Sequence, residues 1–191
     1  MSKRNVIVIL GILGLISWAI YENIGSSNES IDINQGEKSD SVSGKNVDIG
    51  IQEGSKAPDF VLITLNDEEV KLSDFVGKKI ILNFWATWCP PCKAEMPHMQ
   101  KFYHEQKDSG VEILAVNLTS SEKNEADIGE FIKSNELSFP VLLDQNGDIA
   151  QTYQAFTIPT SYVIDTNGII RNKVVGPMDT EMMEELVKSF N

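Results

Sequence analysis

Residues 79–92 read KIILNFWATWCPPC, and they constrain the fold more than any other stretch of the chain. The first seven are a mostly apolar run of β-branched and aromatic residues, the pattern of a strand buried on both faces. Two prolines follow closely. Proline is tolerated in the first turn of a helix, where its missing N–H has no intrahelical partner anyway. The stretch therefore reads as a buried strand turning into a helix, with Cys89 at the junction and Cys92 three residues on. The chain has no other cysteine. With 191 residues, 41% of them hydrophobic, it can bury a core without disulfide staples. A bridge between residues three apart closes a tiny loop and stabilises little. The pair reads as chemistry, not as scaffolding.

Strands and helices alternate around this junction. Residues 57–65 (APDFVLITL) run extended, turn at residues 66–69 and return at residues 70–72 as a small hairpin, and Ser73 and Asp74 resemble a cap for a short turn. The helix after Cys89 is expected to run from Pro90 to about Asp108. Residues 111–118 (VEILAVNL) read as a second buried strand, and residues 122–135 as a helix with Ile128, Phe131 and Ile132 on one face. Residues 140–143 are a strand and residues 148–154 a short helix. Residues 161–164 and 169–175 flank Asp165-Thr166-Asn167-Gly168, where Asn-Gly predicts the positive φ of a type I′ turn. Asp179 caps a last helix. The order β, β, β-α-β-α-β-α-β-β-α predicts an α/β fold, a central mixed β-sheet flanked by helices on both faces.

Charge excludes one class of partner. The net charge is −12, with no basic patch or basic helix face to attract nucleic acid. The N-terminus differs: Lys3 and Arg4 precede residues 6–21, which carry no charge. That run is slightly short of the roughly 17–25 residues that span a bilayer core. Asn5 and the flanks, with Trp18 and Tyr21 at the far interface, bring it near range. A cleaved signal peptide is the rival. Against it, the run is long for an h-region of roughly 7–15 residues, and the small-x-small sites around Gly25 and Ser26 are loose. Residues 1–21 are expected to be a signal-anchor, with the N-terminus in the cytoplasm and everything after Tyr21 outside. Residues 22–54 are rich in Ser, Asn, Asp, Glu and Gly without a period, the composition of a flexible polar linker. Residues 55–191 are expected to be the folded domain.

With Cys89 as N-cap, Pro90 and Pro91 take the first two helical positions, and the N–H of Cys92 can point at the Cys89 sulfur. That hydrogen bond and the helix dipole favour a Cys89 thiolate, the attacking species in thiol–disulfide exchange. The prolines remove two backbone donors, which predicts a modest pKa depression and a reducing disulfide. A metal site would need His98 and His104 as further ligands, but six residues along one helix turn them about 240° apart. Both read as helix surface, and no metal or other cofactor is expected. Haem attachment needs a histidine after the second cysteine, and Lys93 stands there.

The stretch Phe84-Trp85-Ala86-Thr87-Trp88-Cys89-Pro90-Pro91-Cys92, with Pro97 in the same helix and Thr157-Ile158-Pro159-Thr160 before a strand, resembles the thioredoxin superfamily. Ala57-Pro58-Asp59-Phe60, Leu82-Asn83-Phe84-Trp85 and Glu95-Met96-Pro97 resemble, more narrowly, its membrane-anchored extracytoplasmic ResA/TlpA-like thiol-disulfide oxidoreductases. The resemblance covers residues 55–191. It implies a thioredoxin-like fold with the N-terminal β-hairpin and, over residues 117–143, a central β-α insertion. It implies Cys89 as nucleophile and Cys92 as resolving thiol of a redox-active disulfide. Pro159 would be a cis-proline facing that disulfide, and the Ile158 backbone would pair with an extended substrate segment. Asn83 stands where cytosolic thioredoxins carry a buried aspartate. Glu95 matches the anchored group's active-site glutamate, a base for Cys92. As plain helix surface it would only complement the dipole. Trp88 is expected on the docking surface, Trp85 in the core, and Pro97 at a helix kink.

The expectation that results is a monomeric, single-pass cell-membrane protein whose outward-facing domain reduces protein disulfides. Its electrons would come from a membrane thiol-disulfide relay. The first expected substrate is an apocytochrome c CxxCH pair in cytochrome c maturation. Pro90, however, stands where those family members often carry an acidic residue. The second is another protein of envelope or spore assembly. A peroxiredoxin-like antioxidant activity is an alternative, since APDF is shared with that group, but such a cysteine needs a threonine three residues earlier and Ala86 precedes Cys89 there. Copper delivery would need a distant histidine, and none follows His104. A peptide-binding module with a permanent disulfide is the non-enzymatic alternative.

Overall fold

Alternation along one strand decides how the sheet is covered. In the computed structural model, which describes residues 47–190, Ile81 and Trp85 belong to one core and Ile80, Leu82 and Phe84 to another. Successive side chains of a strand point to opposite faces, so a strand apolar on both must be covered on both. This strand, β3 (Lys79–Trp85), lies inside a seven-stranded sheet. The others are β1 (Val61–Ile63), β2 (Glu69–Lys71), β4 (Val111–Asn117), β5 (Val141–Leu143), β6 (Thr160–Ile164) and β7 (Ile170–Val175), in the order β2-β1-β5-β4-β3-β6-β7. Strands β3, β4 and β5 are parallel, while β1 and β2 on one side and β6 and β7 on the other pair antiparallel. The sheet is mixed, as the order of elements predicts.

Helices α1 (Pro90–Gln106), α2 (Ala126–Ser134) and α4 (Thr180–Lys188) bring Met96, Phe102, Ile128, Met183 and Val187 into the first core. The short α3 (Asp148–Thr152) brings Ala150, with Tyr153 just beyond it, into the second. Each large side chain buried here contributes roughly 1.5–3 kcal/mol by leaving water. Two tyrosine hydroxyls in the second core are paired: Tyr153 donates to the Pro58 carbonyl, and Tyr162 donates to the Tyr153 carbonyl.

Several boundaries differ from the sequence reading. Residues 47–54, given by composition to the linker, are tied to the domain. Lys56 N–H donates to the Asp48 carbonyl and Gly50 N–H to the Lys56 carbonyl, both at 2.9 Å, and Gly54 N–H donates to the Ile170 carbonyl at 2.8 Å. Backbone bonds need no apolar side chain, so composition carries no sign of them. The expected anchor and the rest of the linker lie outside the described residues, among which no helix is long and apolar enough to cross a membrane. The helix expected from residue 122 begins at Ala126, after a 3-10 turn at Thr119–Ser121, and Glu122 is extended. In the β6–β7 hairpin only Gly168 has positive φ (79°). The type I′ turn gives way because Asp165 Oδ1 accepts the N–H of Asn167 (2.8 Å) and of Ile169 (3.0 Å), closing a different loop.

Candidate active site

The end of β3 and the start of α1 deliver the two cysteines. Cys89 is the N-cap in extended conformation, Pro90 and Pro91 follow, and the Cys92 N–H donates to Cys89 Sγ at 3.2 Å. The two sulfurs are bonded to each other. Cys89 is 3% exposed and Cys92 is fully buried. Of the two residues, Cys89 alone keeps any contact with solvent.

The loop before β6 faces this pair. The Ile158–Pro159 peptide is cis, and the Ile158 carbonyl oxygen lies 3.7 Å from Cys89 Sγ. This is a contact and not a hydrogen bond, since a bridged sulfur carries no proton. The Ile158 N–H has no partner among the described residues. Its neighbours are held: Gly176 N–H donates to the Pro159 carbonyl at 2.9 Å, and Thr160 Oγ1 donates to the Thr157 carbonyl at 2.6 Å. Trp88, bonded to Cys89, is 48% exposed, while Trp85 is buried against Phe131 with ring centroids 5.1 Å apart.

Glu95 lies three residues beyond Cys92 on α1 and is 1% exposed. Its Oε1 accepts the Met178 N–H at 3.0 Å and its Oε2 accepts Asn83 Nδ2 at 3.2 Å. The alternation of β3 puts Asn83 on the same face as Ile81 and Trp85, under α1. Asn83 also donates to Ser161 Oγ at 2.9 Å, and its own Oδ1 has no partner among the described residues. Burial pushes the Glu95 carboxyl up to about 7, and the donors from Met178 and Asn83 hold it from rising further. Glu95 is therefore no solvated surface charge. His98 and His104 are exposed on α1.

Two residues of this region escape the sequence reading. Glu122 Oε1 accepts the Thr87 N–H at 2.7 Å and Asn117 Nδ2 at 2.9 Å, while Oε2 accepts the Thr87 hydroxyl at 2.5 Å. A carboxylate from the central insertion thus clamps the loop that leads into Trp88 and Cys89. The one hint in the sequence is a lone hydroxyl, Thr87, inside an apolar stretch. Phe156 is the other, an exposed ring two residues before Ile158.

Residues 54–173 match the AhpC/TSA family. The chain belongs to that family. It is 46% identical over 138 residues to thioredoxin-like protein YneN of Bacillus subtilis (strain 168), covering 72% of this chain and 80% of that one. It is 33% identical over 186 residues to thiol-disulfide oxidoreductase ResA of Bacillus cereus (strain ATCC 10987 / NRS 248), covering 97% and 94%. The crystal structure of StoA from Bacillus subtilis matches with a TM-score of 0.62 at 38% identity, over 68% of this chain and 96% of that one. The fold is thioredoxin-like, and the protein is a thiol-disulfide oxidoreductase.

Proposed function

We propose that the protein reduces disulfides in other polypeptides. The Cys89 thiolate attacks one sulfur of the substrate disulfide, forms a mixed disulfide and releases the first substrate thiolate, which takes up a proton. Glu95 takes the proton of Cys92, whose thiolate attacks Cys89 and releases the second substrate sulfur as a thiolate, to which Glu95 returns the proton. Two electrons pass to the substrate, and Cys89–Cys92 ends oxidised, the state of the described structure. An external dithiol, by expectation a membrane thiol relay, returns the pair to the reduced form. Ile158 and Pro159 present the surface on which an extended substrate segment lies, and Trp88 borders it.

The observation that carries the reducing direction is the single N–H on the Cys89 sulfur, with Pro90 and Pro91 supplying none. One donor stabilises the thiolate less than two would, so the dithiol gives up its electrons more readily than it would with a second N–H on the sulfur. The anchored, outward-facing location rests on residues 1–21 and on their basic start. Apocytochrome c is the first substrate to try, and an envelope or spore-assembly protein the second.

The test is the reduction potential of the purified protein at pH 7 against a glutathione or thioredoxin buffer. A value at or below about −270 mV, that of thioredoxin, supports the reductase. A value near −120 mV, that of a strong oxidant, reverses the direction and overturns the account of the two prolines.

A further inference from the structure

Glu95, Asn83 and Ser161 form a polar cluster inside an apolar core. Glu95 is 1% exposed, and Asn83 and Ser161 are fully buried. Asn83 and Ser161 are register partners on β3 and β6, and Glu95 reaches Asn83 from α1. The elements around them bring Ile81, Trp85, Ala115, Val163 and Met96 to the same core. Glu95 has no ion pair among the described residues, and Cys92, once reduced, is the titratable group nearest to it along α1. The Asn83 amide is used on one side only. Nδ2 donates to Glu95 Oε2 at 3.2 Å and to Ser161 Oγ at 2.9 Å, while Oδ1 is buried with no partner among the described residues. An orphaned oxygen in a native core calls for a reason. The arrangement suits an ionised Glu95, which can only accept. It does not suit the acid. Oε1 faces the Met178 N–H, a backbone donor that cannot turn, so an added proton sits on Oε2. There it meets the NH₂ group of Asn83, donor against donor.

We propose that Asn83 is a positioning residue that turns its side-chain amide over as Glu95 gains and loses the Cys92 proton. With Glu95 ionised, Nδ2 donates to it. With Glu95 protonated, half a turn about the last side-chain bond brings Oδ1 to the same place, where it accepts the Glu95 O–H. That torsion is broad and roughly two-fold in asparagine. Ser161 follows without moving its backbone, because a hydroxyl both accepts and donates, and its proton rotates towards Oδ1. No proton passes to Asn83. Glu95 is thus hydrogen-bonded in both states, so neither uptake of the Cys92 proton nor its return leaves the carboxyl unpaired in the core. An ionised aspartate at position 83 could accept but not donate, and its charge would repel that of Glu95. The inference rests on the reading of Glu95 as the base for Cys92.

Two measurements test it. In the ¹⁵N-labelled, oxidised full chain, nuclear Overhauser cross-peaks from the Asn83 NH₂ protons to the Ser161 β-protons are expected at pH 9 and are expected to be lost at pH 5. Cross-peaks of equal strength at both values overturn the inference. The second measurement is stopped-flow resolution of a preformed mixed disulfide between Cys89 and a cysteine peptide, between pH 6 and 9. Asn83→Leu, close in size, is expected to lower the plateau rate about tenfold. It is also expected to move the midpoint of the profile up by about one pH unit, since the bond lost by the ionised form is the stronger one. A merely structural loss would lower stability without moving the midpoint, so a midpoint left at the wild-type value overturns the inference. Glu95→Gln separates the two claims. If it flattens the profile while Asn83→Leu keeps the wild-type midpoint, Glu95 stands as the base and the turning amide alone fails. A profile that survives Glu95→Gln overturns both.

Discussion

Glu95 accepts two hydrogen bonds and faces no cation within ion-pair distance among the described residues. With its pKa near 7 it can both take a proton from a thiol and return it at neutral pH. The ionised form is the base, so release of substrate from the mixed disulfide should speed up as pH rises through 7 and level off above it. Glu95→Gln should flatten that profile and slow release by about a hundredfold, read by stopped-flow resolution of a preformed mixed disulfide between pH 6 and 8. A profile that survives the substitution would remove Glu95 from the proton transfer. Glu122 acts at one remove. Three donors converge on its two oxygens, and Glu122→Gln leaves only one oxygen to receive them. The loss should be about 1–3 kcal/mol of stability, with faster hydrogen exchange at the Thr87 amide as the mark of a loosened clamp. The cysteines and prolines could be placed from sequence because their geometry is local, set by spacing along one helix turn. Glu122 and Thr87 are 35 residues apart, and a carboxylate bound by neutral donors leaves no complementary charge to notice.

At the scale of the element, the first turn of α1 is where the sulfur chemistry is set. An N-cap side chain accepts from the second or third helical N–H. Here the third is used and the second belongs to Pro91, which has none. Pro91→Ala restores that donor. A hydrogen bond to a charged group contributes roughly 1.5–3 kcal/mol, and about 30 mV corresponds to 1.4 kcal/mol for this couple. The variant should therefore have a lower Cys89 thiol pKa and a potential about 30–60 mV more positive, because the reduced form is the one stabilised. Thiolate absorbance against pH and a redox titration check the two halves separately. The elements themselves were readable wherever one pattern dominated: the apolar runs of β3 and β4, the Asp179 cap of α4, whose carboxylate accepts the Met182 N–H at 2.8 Å. They were not readable where side chains compete for the backbone. Asn124 Oδ1 accepts the Ala126 N–H at 3.2 Å and so helps start α2 later than apolar periodicity suggests. Asp165 likewise overrides the Asn-Gly signal beside it.

For the whole molecule, two buried carboxylates pull stability in opposite directions with pH. Burial raises Asp165, but the amides of Ile169 and Asn167 and the Arg171 guanidinium outweigh it and hold the group below its ordinary value of 3.8. Its stabilising contribution is present above that value and lost as pH falls through the folded pKa. Glu95 is the reverse. Its folded pKa lies above the ordinary 4.5, so the folded state binds the proton more tightly than the unfolded chain does. That contribution is full below 4.5 and is lost as pH rises to about 7. The difference amounts to something on the order of 3 kcal/mol, a large share of the stability of a domain this size. The oxidised protein should therefore have its highest urea midpoint near pH 4.5 and decline towards pH 8. Glu95→Gln should abolish the decline and leave the variant more stable than wild type at pH 8, although slower in exchange. The unpartnered Asn83 Oδ1 helps here, since a turn of the Asn83 side chain lets it accept from the NH₂ group that the substitution introduces. A wild-type midpoint that stays level or rises between pH 4.5 and 7, or a Glu95→Gln variant with the same slope, would mean that the carboxyl is solvated and that its basicity is not set by burial.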